Sequence, residues 1–328
     1  MGKVLHIVPE LNEANGVFVV ANLLAGEDGG QVVDARKVTY SDIAASDEVC
    51  VHGMWLPREW KVCRWALKAG KPFVRMTHGS LSPMYLKYQG KWKKRMAGPI
   101  ERFFLRRAKA VVATCEAEKG WIESYLGRRC PPVEVTDIKR FFNLSRVEGD
   151  GEVLTQRSRE AEKQIVLGGW GEAPTTSTSA TPPLGHSALK NNDQEDSLNI
   201  LYLGRRHPLK GVEYLESAVR QIEESARSTC STRLKIVSSA FGEEKEQVWS
   251  WCDVLVLPTL SENFGLVIAE ALERGKRVIT TDGAPAWGDG NTYGGRLLYL
   301  KGYREGTPEK RVELLRYAIK ELFDCLIV

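Results

Sequence analysis

The feature that most constrains this chain is an alternation. Short, nearly continuous apolar runs recur between stretches of helical periodicity. In the first part, residues 4–8, 48–52, 72–76, 110–113 and 133–136 read as buried strands, with candidate helices at 17–24, 59–69, 93–108 and 121–126. Strands separated by helices must pair in parallel, because parallel neighbours need a crossover connection. The pattern resumes further on: strands at 199–203, 233–237, 254–257 and 277–281, helices at 212–225, 246–251 and 264–274, and a closing amphipathic helix at 310–323. The expected fold class is α/β. Two Rossmann-like domains, 1–142 and 198–328, face each other across a cleft at the carboxyl ends of their sheets, where open α/β sheets bind ligands. With 328 residues the chain can bury two such cores.

Residues 143–197 break the pattern. The run from Thr175 to Pro183 and the run from Asn191 to Asp196 are polar and of low complexity, with too little apolar surface to offset the entropy of ordering. This stretch reads as a linker or insertion. The seven cysteines are widely spaced, without a C-x-x-C pair, which fits a reducing cytosol better than a disulfide frame or a zinc site. A formal charge of +4, with no nucleic-acid-binding signature, does not point to nucleic acid as a partner. The chain enters its first strand at once, Gly2 lacks the hydroxyl residue that myristoylation requires, and no apolar run is long enough to span a bilayer. The expected location is cytoplasmic, with peripheral attachment to the inner face of the membrane.

Three motifs carry chemistry. The first runs from Ser261 to Leu272, S-E-N-F-G-L-V-I-A-E-A-L, directly after a strand and Pro258. Gly265 and Leu266 open its helix, so their N–H groups are free for an anion such as a diphosphate. Glu262 is placed to accept hydrogen bonds from sugar hydroxyls. Glu270, about 9 Å further along the helix, is placed to reach ribose. The second motif is G-R-R-H-P-L-K-G, residues 204–211, where Arg205 and Lys210 would stabilise negative charge on a departing diphosphate. The third is a pair of His-Gly corners, His52-Gly53 and His78-Gly79, expected at the carboxyl edge and facing the cleft. Gly16 permits close backbone approach after the first strand. Trp55 is expected to pack at the interdomain face.

The Glu262-to-Glu270 spacing resembles the E-x7-E motif of retaining family-4 glycosyltransferases of the two-Rossmann (GT-B) type. The G-R-x4-K-G element is similar to the same family, as is His78-Gly79-Ser80-Leu81 followed by Lys93-Lys94-Arg95 and by residues 101–108. The resemblance covers most of 1–140 and 198–300. It implies an envelope or lipopolysaccharide-type enzyme that takes a UDP- or GDP-sugar and transfers the sugar, with retention, to a glycan or lipid-linked acceptor. The first domain would lie on the acceptor side and the second would hold the donor. His78 and Glu262 would act at the reacting centre. Gly16, Arg205, Lys210, Asn263, Phe264, Gly265, Leu266 and Glu270 would hold the donor, with the 264–266 backbone against the sugar. No metal or other cofactor is expected.

Two departures from the family stand out. The proline-asparagine-glycine turn is missing near residues 133–138, and only about fifty residues separate Lys210 from Glu262, room for one strand and one helix fewer than usual. A shortened donor domain also suits a non-catalytic relative that binds nucleotide-sugar, or a partner subunit of another glycosyltransferase. An NAD-type oxidoreductase is disfavoured, since no G-x-G-x-x-G follows the first strand. Residues 87–109, from Lys87 to Lys109, hold nine Lys or Arg with Glu101 as the single acid and aromatics interleaved. That pattern suits either docking on an anionic membrane or a solvated basic face whose aromatics enter the core.

Overall fold

The computed structural model describes residues 2–12, 15–88, 91–144, 197–225 and 231–327. The first sheet holds β1 (Val4–Val8), β2 (Gln31–Asp34), β3 (Glu48–His52), β4 (Phe73–Met76), β5 (Ala110–Ala113) and β6 (Val133–Val135). They pair in the order β2-β1-β3-β4-β5-β6, all parallel. The connections carry α1 (Gly16–Asp28), α2 (Tyr40–Ala45), α3 (Pro57–Lys68), α4 (Pro83–Tyr88), α5 (Lys91–Leu105) and α6 (Glu116–Leu126). The second sheet holds β7 (Ser197–Leu203), β8 (Ser231–Val237), β9 (Val254–Leu257), β10 (Arg277–Thr281) and β11 (Leu297–Leu300), again all parallel, in the order β11-β10-β9-β7-β8. Its helices are α7 (Val212–Glu223), α8 (Gly242–Trp251), α9 (Leu266–Glu273) and α10 (Pro308–Ile327).

The two sheets share one topology. β1 has β2 on one side and β3 on the other; β7 has β8 and β9. Strand order reverses at β1/β3 and at β7/β9, and such switch points open the crevice in which α/β proteins bind ligands. Strands β2 and β11 and helices α2 and α4 lie where periodicity predicted none. At four to six residues each they are too short to show a period. Helix α2 is marked only by its capping box. The Asp42 N–H donates to the Thr39 hydroxyl at 3.3 Å, and the Asp42 carboxylate accepts from the Thr39 N–H at 2.8 Å. Helix α9 begins at Leu266 rather than at Phe264, because Gly265 takes φ +73° as its N-cap.

Leu5, Ile7, Val49, Val51, Phe73 and Val111 centre one core; Ile200, Leu201, Val254, Leu255, Ile268 and Ile279 centre the other. Val20 of α1 and Met76 of β4 join the second core, so the domains pack directly. Phe142 stacks on Phe264 at 6.4 Å. Lys139 pairs with Asp289 at 2.6 Å. The stretch expected to be a linker or insertion lies outside the described residues apart from Asn143, Leu144 and Ser197, and Ser197 already opens β7.

Candidate active site

The second-domain wall is assembled from the two strands of its switch point. After β7 the chain passes the exposed Arg205 and makes the short turn Pro208–Lys210. Gly211 follows at φ +64°, where a Cβ would sit 2.2 Å from the Pro258 carbonyl oxygen. Only glycine lets the β7 turn close on the β9 turn. The Leu209 carbonyl then accepts from the Leu260 N–H at 2.8 Å. Closure brings Lys210 Nζ onto the Glu262 carboxylate as an ion pair, both side chains about one-fifth exposed. The second Glu262 oxygen accepts from the Asn263 N–H at 3.1 Å. Gly283, whose Cβ would lie 2.0 Å from the Thr259 carbonyl oxygen, seats the loop from below and accepts from the Glu262 N–H at 2.8 Å.

Gly265, Leu266 and Val267 occupy the first positions of α9, whose N–H groups have no intrahelical acceptor. One turn further on, Glu270 pairs with Lys245 of α8 at 2.8 Å. Arg205 makes no ion pair among the described residues. Gly16 opens α1, and a Cβ there would stand 3.3 Å from Leu266 Cδ1. The amino ends of α1 and α9 therefore adjoin across the domains, and their dipoles make this part of the cleft favourable for an anion.

Two of the expected donor residues turn their side chains elsewhere. The Phe264 ring is buried between Phe142 and Trp287, and its carbonyl accepts from Trp287 Nε1 at 2.5 Å, so only its backbone is on offer. The Asn263 side-chain amide lies 3.0 Å from the Thr114 hydroxyl and bridges the domains.

The first-domain wall is the His78-Gly79 corner after β4. Both residues lie in the left-handed region, at φ +48° and +71°. That conformation costs a histidine ~1–2 kcal/mol. The corner is held by a buried carboxylate. Glu118 Oε1 accepts from the Thr77 hydroxyl at 2.6 Å and from the Gly79 N–H at 2.5 Å; Oε2 accepts from the Thr114 N–H at 2.8 Å and its hydroxyl at 2.9 Å. A Cβ on Gly79 would approach Asn263 Cβ to 2.8 Å, so the His-Gly corner touches the Glu262–Asn263 loop. The Ser82 and Ser261 hydroxyls add a contact at 3.0 Å.

His52 was expected to face the cleft and does not. It is fully buried, with Nε2 3.0 Å from His6 Nδ1 and Nδ1 2.9 Å from His78 Nε2. Burial and its imidazole neighbours hold its pKa well below the ordinary range, and burial brings His78 down to about 3, so both rings are neutral at physiological pH. Trp55 packs against the first-domain core rather than at the interdomain face. His6, Cys50 and His52 offer ligand atoms within 4.8 Å of one another. The facing imidazole nitrogens already hydrogen-bond each other, and burial pushes the Cys50 thiol up to about 12, away from the thiolate a metal would need.

Sequence reading missed Glu118, Glu101 and Lys245. Glu118 left one signal, a Thr at a strand end followed four residues later by Glu in the first turn of a helix. Glu101 reads as a lone acid in a basic segment, yet it is buried against Arg75 at 3.1 Å and accepts from Trp60 Nε1 at 2.8 Å and the Trp55 N–H at 2.5 Å. Arg75 Nη2 also donates to the Gly53 carbonyl at 2.9 Å, which ties this pair to the β3 corner.

The basic segment is only partly free. Arg102 and Arg106 cap carbonyls at the end of α6, Lys109 pairs with Glu48, and Lys94 lies 3.5 Å over the Tyr85 ring, where burial lowers its pKa to about 8. Phe104 enters the core, while Met96, Ile100 and Phe103 form an exposed apolar stripe, 73%, 41% and 45% accessible, beside exposed Arg95 and Arg107. The side chains of Tyr88 and residues 91–93 lie outside the described set.

A parallel two-sheet architecture with matched switch points across one cleft defines the GT-B class of fold. Residues 32–137 match the model of a glycosyl transferase 4-like domain, and residues 233–301 match that of glycosyl transferases group 1. The fold is similar to that of Anabaena HepE in complex with UDP (14% identity, TM-score 0.53, covering 98% of this chain and 96% of that one). It is also similar to sucrose-phosphate synthase from Thermosynechococcus elongatus (14%, 0.51, 100% and 98%) and to a UDP-forming α,α-trehalose-phosphate synthase from Burkholderia vietnamiensis (10%, 0.55, 98% and 94%). No curated protein matches the chain by sequence. With a glycosyl transferase segment in each domain, the chain is a glycosyltransferase of the GT-B type.

Proposed function

We propose that this glycosyltransferase moves a sugar, with retention and without a metal, from a UDP- or GDP-sugar to a glycan or lipid-linked acceptor in envelope polysaccharide synthesis. The observation that carries the reading is the convergence of Arg205, the Lys210–Glu262 pair and the open amino end of α9 at one switch point, against the His78-Gly79 corner. UDP in the HepE structure favours a UDP-linked donor. The diphosphate lies on Arg205, Lys210 and the Gly265–Leu266 N–H groups. Glu262 shares its carboxylate between Lys210 and sugar hydroxyls, and Glu270 shares its own between Lys245 and ribose. In the transfer the bond from the anomeric carbon to the phosphate oxygen breaks, and the acceptor oxygen bonds to the same face. The acceptor proton passes to the departing diphosphate, whose growing charge the two cations and the helix end stabilise without reorganisation. Domain contacts through Asn263–Thr114 and Ser82–Ser261 exclude water from the closed site.

Among the described residues no helix is long and apolar enough to cross a membrane. The Met96–Ile100–Phe103 stripe flanked by Arg95 and Arg107 instead supports docking on an anionic bilayer, which would bring a lipid-linked acceptor to the cleft. Binding to phosphatidylglycerol vesicles is expected to exceed binding to phosphatidylcholine vesicles and to fall when Met96 and Phe103 become glutamate; equal binding to both vesicle types would remove this part.

The decisive experiment is release of nucleoside diphosphate from a panel of UDP-, GDP- and ADP-sugars with EDTA present, against Glu262→Ala. Loss of one transition-state contact of this kind costs roughly 100-fold or more. The five-stranded second sheet favours one other reading, a relative that binds nucleotide-sugar without transferring it. Binding with no turnover, even with membrane extract as acceptor source, would select it.

A further inference from the structure

Three histidines on neighbouring strands of the first sheet form one line. His6 lies on β1, His52 ends β3, and His78 follows β4. His6 Nε2 is 2.9 Å from Asp28 Oδ2 at the end of α1, His6 Nδ1 is 3.0 Å from His52 Nε2, and His52 Nδ1 is 2.9 Å from His78 Nε2. His6 and His52 are buried, while Asp28 reaches solvent, its side chain 40% exposed. The second Asp28 oxygen accepts from the Gly30 N–H at 2.8 Å, which fixes the carboxylate at the helix end.

A carboxylate can only accept, so the proton order follows along the line. A His6 ring that carries a single proton donates it from Nε2 and accepts at Nδ1. His52 must then donate from Nε2 and accept at Nδ1, and His78 must donate from Nε2. One nitrogen is left over, His78 Nδ1, with a lone pair and no protein donor among the described residues. It belongs to the residue next to Gly79, which touches the Glu262–Asn263 loop. The other ionisable groups beside the line, Cys50 on β3 and Arg75 on β4, do not reverse this order. The thiol stays protonated, and Arg75 is engaged by Glu101 and the Gly53 carbonyl.

We infer that Asp28, His6 and His52 are positioning residues that lock His78 in its Nε2–H tautomer, so that Nδ1 is presented to the cleft as a fixed acceptor for a sugar hydroxyl. This rests on the donor-site reading above only for the identity of the hydroxyl. The tautomer itself is a property of the resting protein. A neutral, pre-oriented acceptor needs no protonation change on binding, and it also explains why His78 is held in a left-handed conformation that glycine would adopt without cost.

The test has two readouts. The first is long-range proton–nitrogen NMR of the full chain with nitrogen-15 histidine at neutral pH. The chain has five histidines, so single His→Gln variants assign them. His6, His52 and His78 are each expected as the Nε2–H form with unprotonated Nδ1, and Asp28→Asn should let His78 sample both forms. A His78 proton on Nδ1 in the wild type would overturn the inference. So would one equivalent of tightly bound zinc that Cys50→Ser abolishes, because it would replace the His6–His52 hydrogen bond. The second readout is a double-mutant cycle on donor turnover. Asp28→Asn should cost about tenfold in the wild type and nothing further in His78→Gln, since coupled residues are not additive. Equal losses in both backgrounds would reduce Asp28 to a structural role. If the wild type turns over no donor, the transferase reading fails while the NMR result stands on its own.

Discussion

The two walls of the cleft are built on the same strand order but hold their functional groups by opposite means. The first-domain wall fixes the His78 corner with buried groups: Glu118 accepting four hydrogen bonds, Arg75 clamped by Glu101, and a line of hydrogen-bonded imidazoles. The second-domain wall carries charges that remain part-exposed and paired with each other, Lys210 with Glu262 and Lys245 with Glu270. Buried networks are rigid and costly to break; part-exposed pairs trade partners more cheaply. One wall is therefore shaped to present a group at a set angle. The other holds its charges in part-exposed pairs that can exchange partners.

This contrast can be broken in four places. Glu101→Ala leaves Arg75 buried without its carboxylate and should cost ~3–5 kcal/mol of unfolding free energy by chemical denaturation. A loss under about 1 kcal/mol would mean the first wall is no more rigid than the second. Lys210→Ala should leave stability nearly unchanged, yet weaken nucleotide-sugar binding by about 1.5–3 kcal/mol in calorimetry, because a charge-assisted contact to diphosphate is lost. A fall in stability matching that of Glu101→Ala would erase the distinction.

Gly79→Ala tests the line where the walls meet. The left-handed backbone alone sets a cost of ~1–2 kcal/mol, and the added methyl group presses on Asn263. Asn263→Ala in the same chain still leaves Cβ in place, whereas Asn263→Gly should recover part of the lost melting temperature; no recovery would place the whole penalty in the backbone.

The smallest effect is a slope with pH. His52 and His78 are held neutral in the fold but titrate near 6.5 when unfolded, so the unfolded chain binds more protons and stability falls as the pH drops from about 6.5 toward 3. Glu59, raised to about 7 by burial, acts in the opposite direction between 7 and 4.5. The difference between wild type and His52→Gln isolates the imidazoles: the variant should gain relative stability in acid, by up to ~1.4 kcal/mol per pH unit for each proton no longer excluded. Parallel pH curves for the two proteins would show that His52 is not held neutral.

The strands of the alternating pattern were legible because buried parallel strands are continuously apolar, and the longer helices because their apolar face recurs with the helical period. Strands β2 and β11 and helices α2 and α4 were not, being too short for a period to register. At the site, Glu262 and Glu270, and separately Arg205 and Lys210, stood out because each pair lies in one short motif beside a glycine turn, whose residues are near in sequence. His52 was misread because a strand end on the sheet edge is exposed in sequence logic, while its actual neighbours come from β1 and β4.

The sequence by itself determined the alternating architecture and the local chemistry of each loop, since periodicity and turn residues are properties of adjacent positions. Tertiary structure alone decided that Lys210 would meet Glu262 and that Glu118 would hold a corner thirty-nine residues before it. It alone also decided that Asp28, His6, His52 and His78 would fall in one line. Hydrogen bonds between buried groups depend on which strands become neighbours, and parallel sheets set that order through crossovers that no local pattern records.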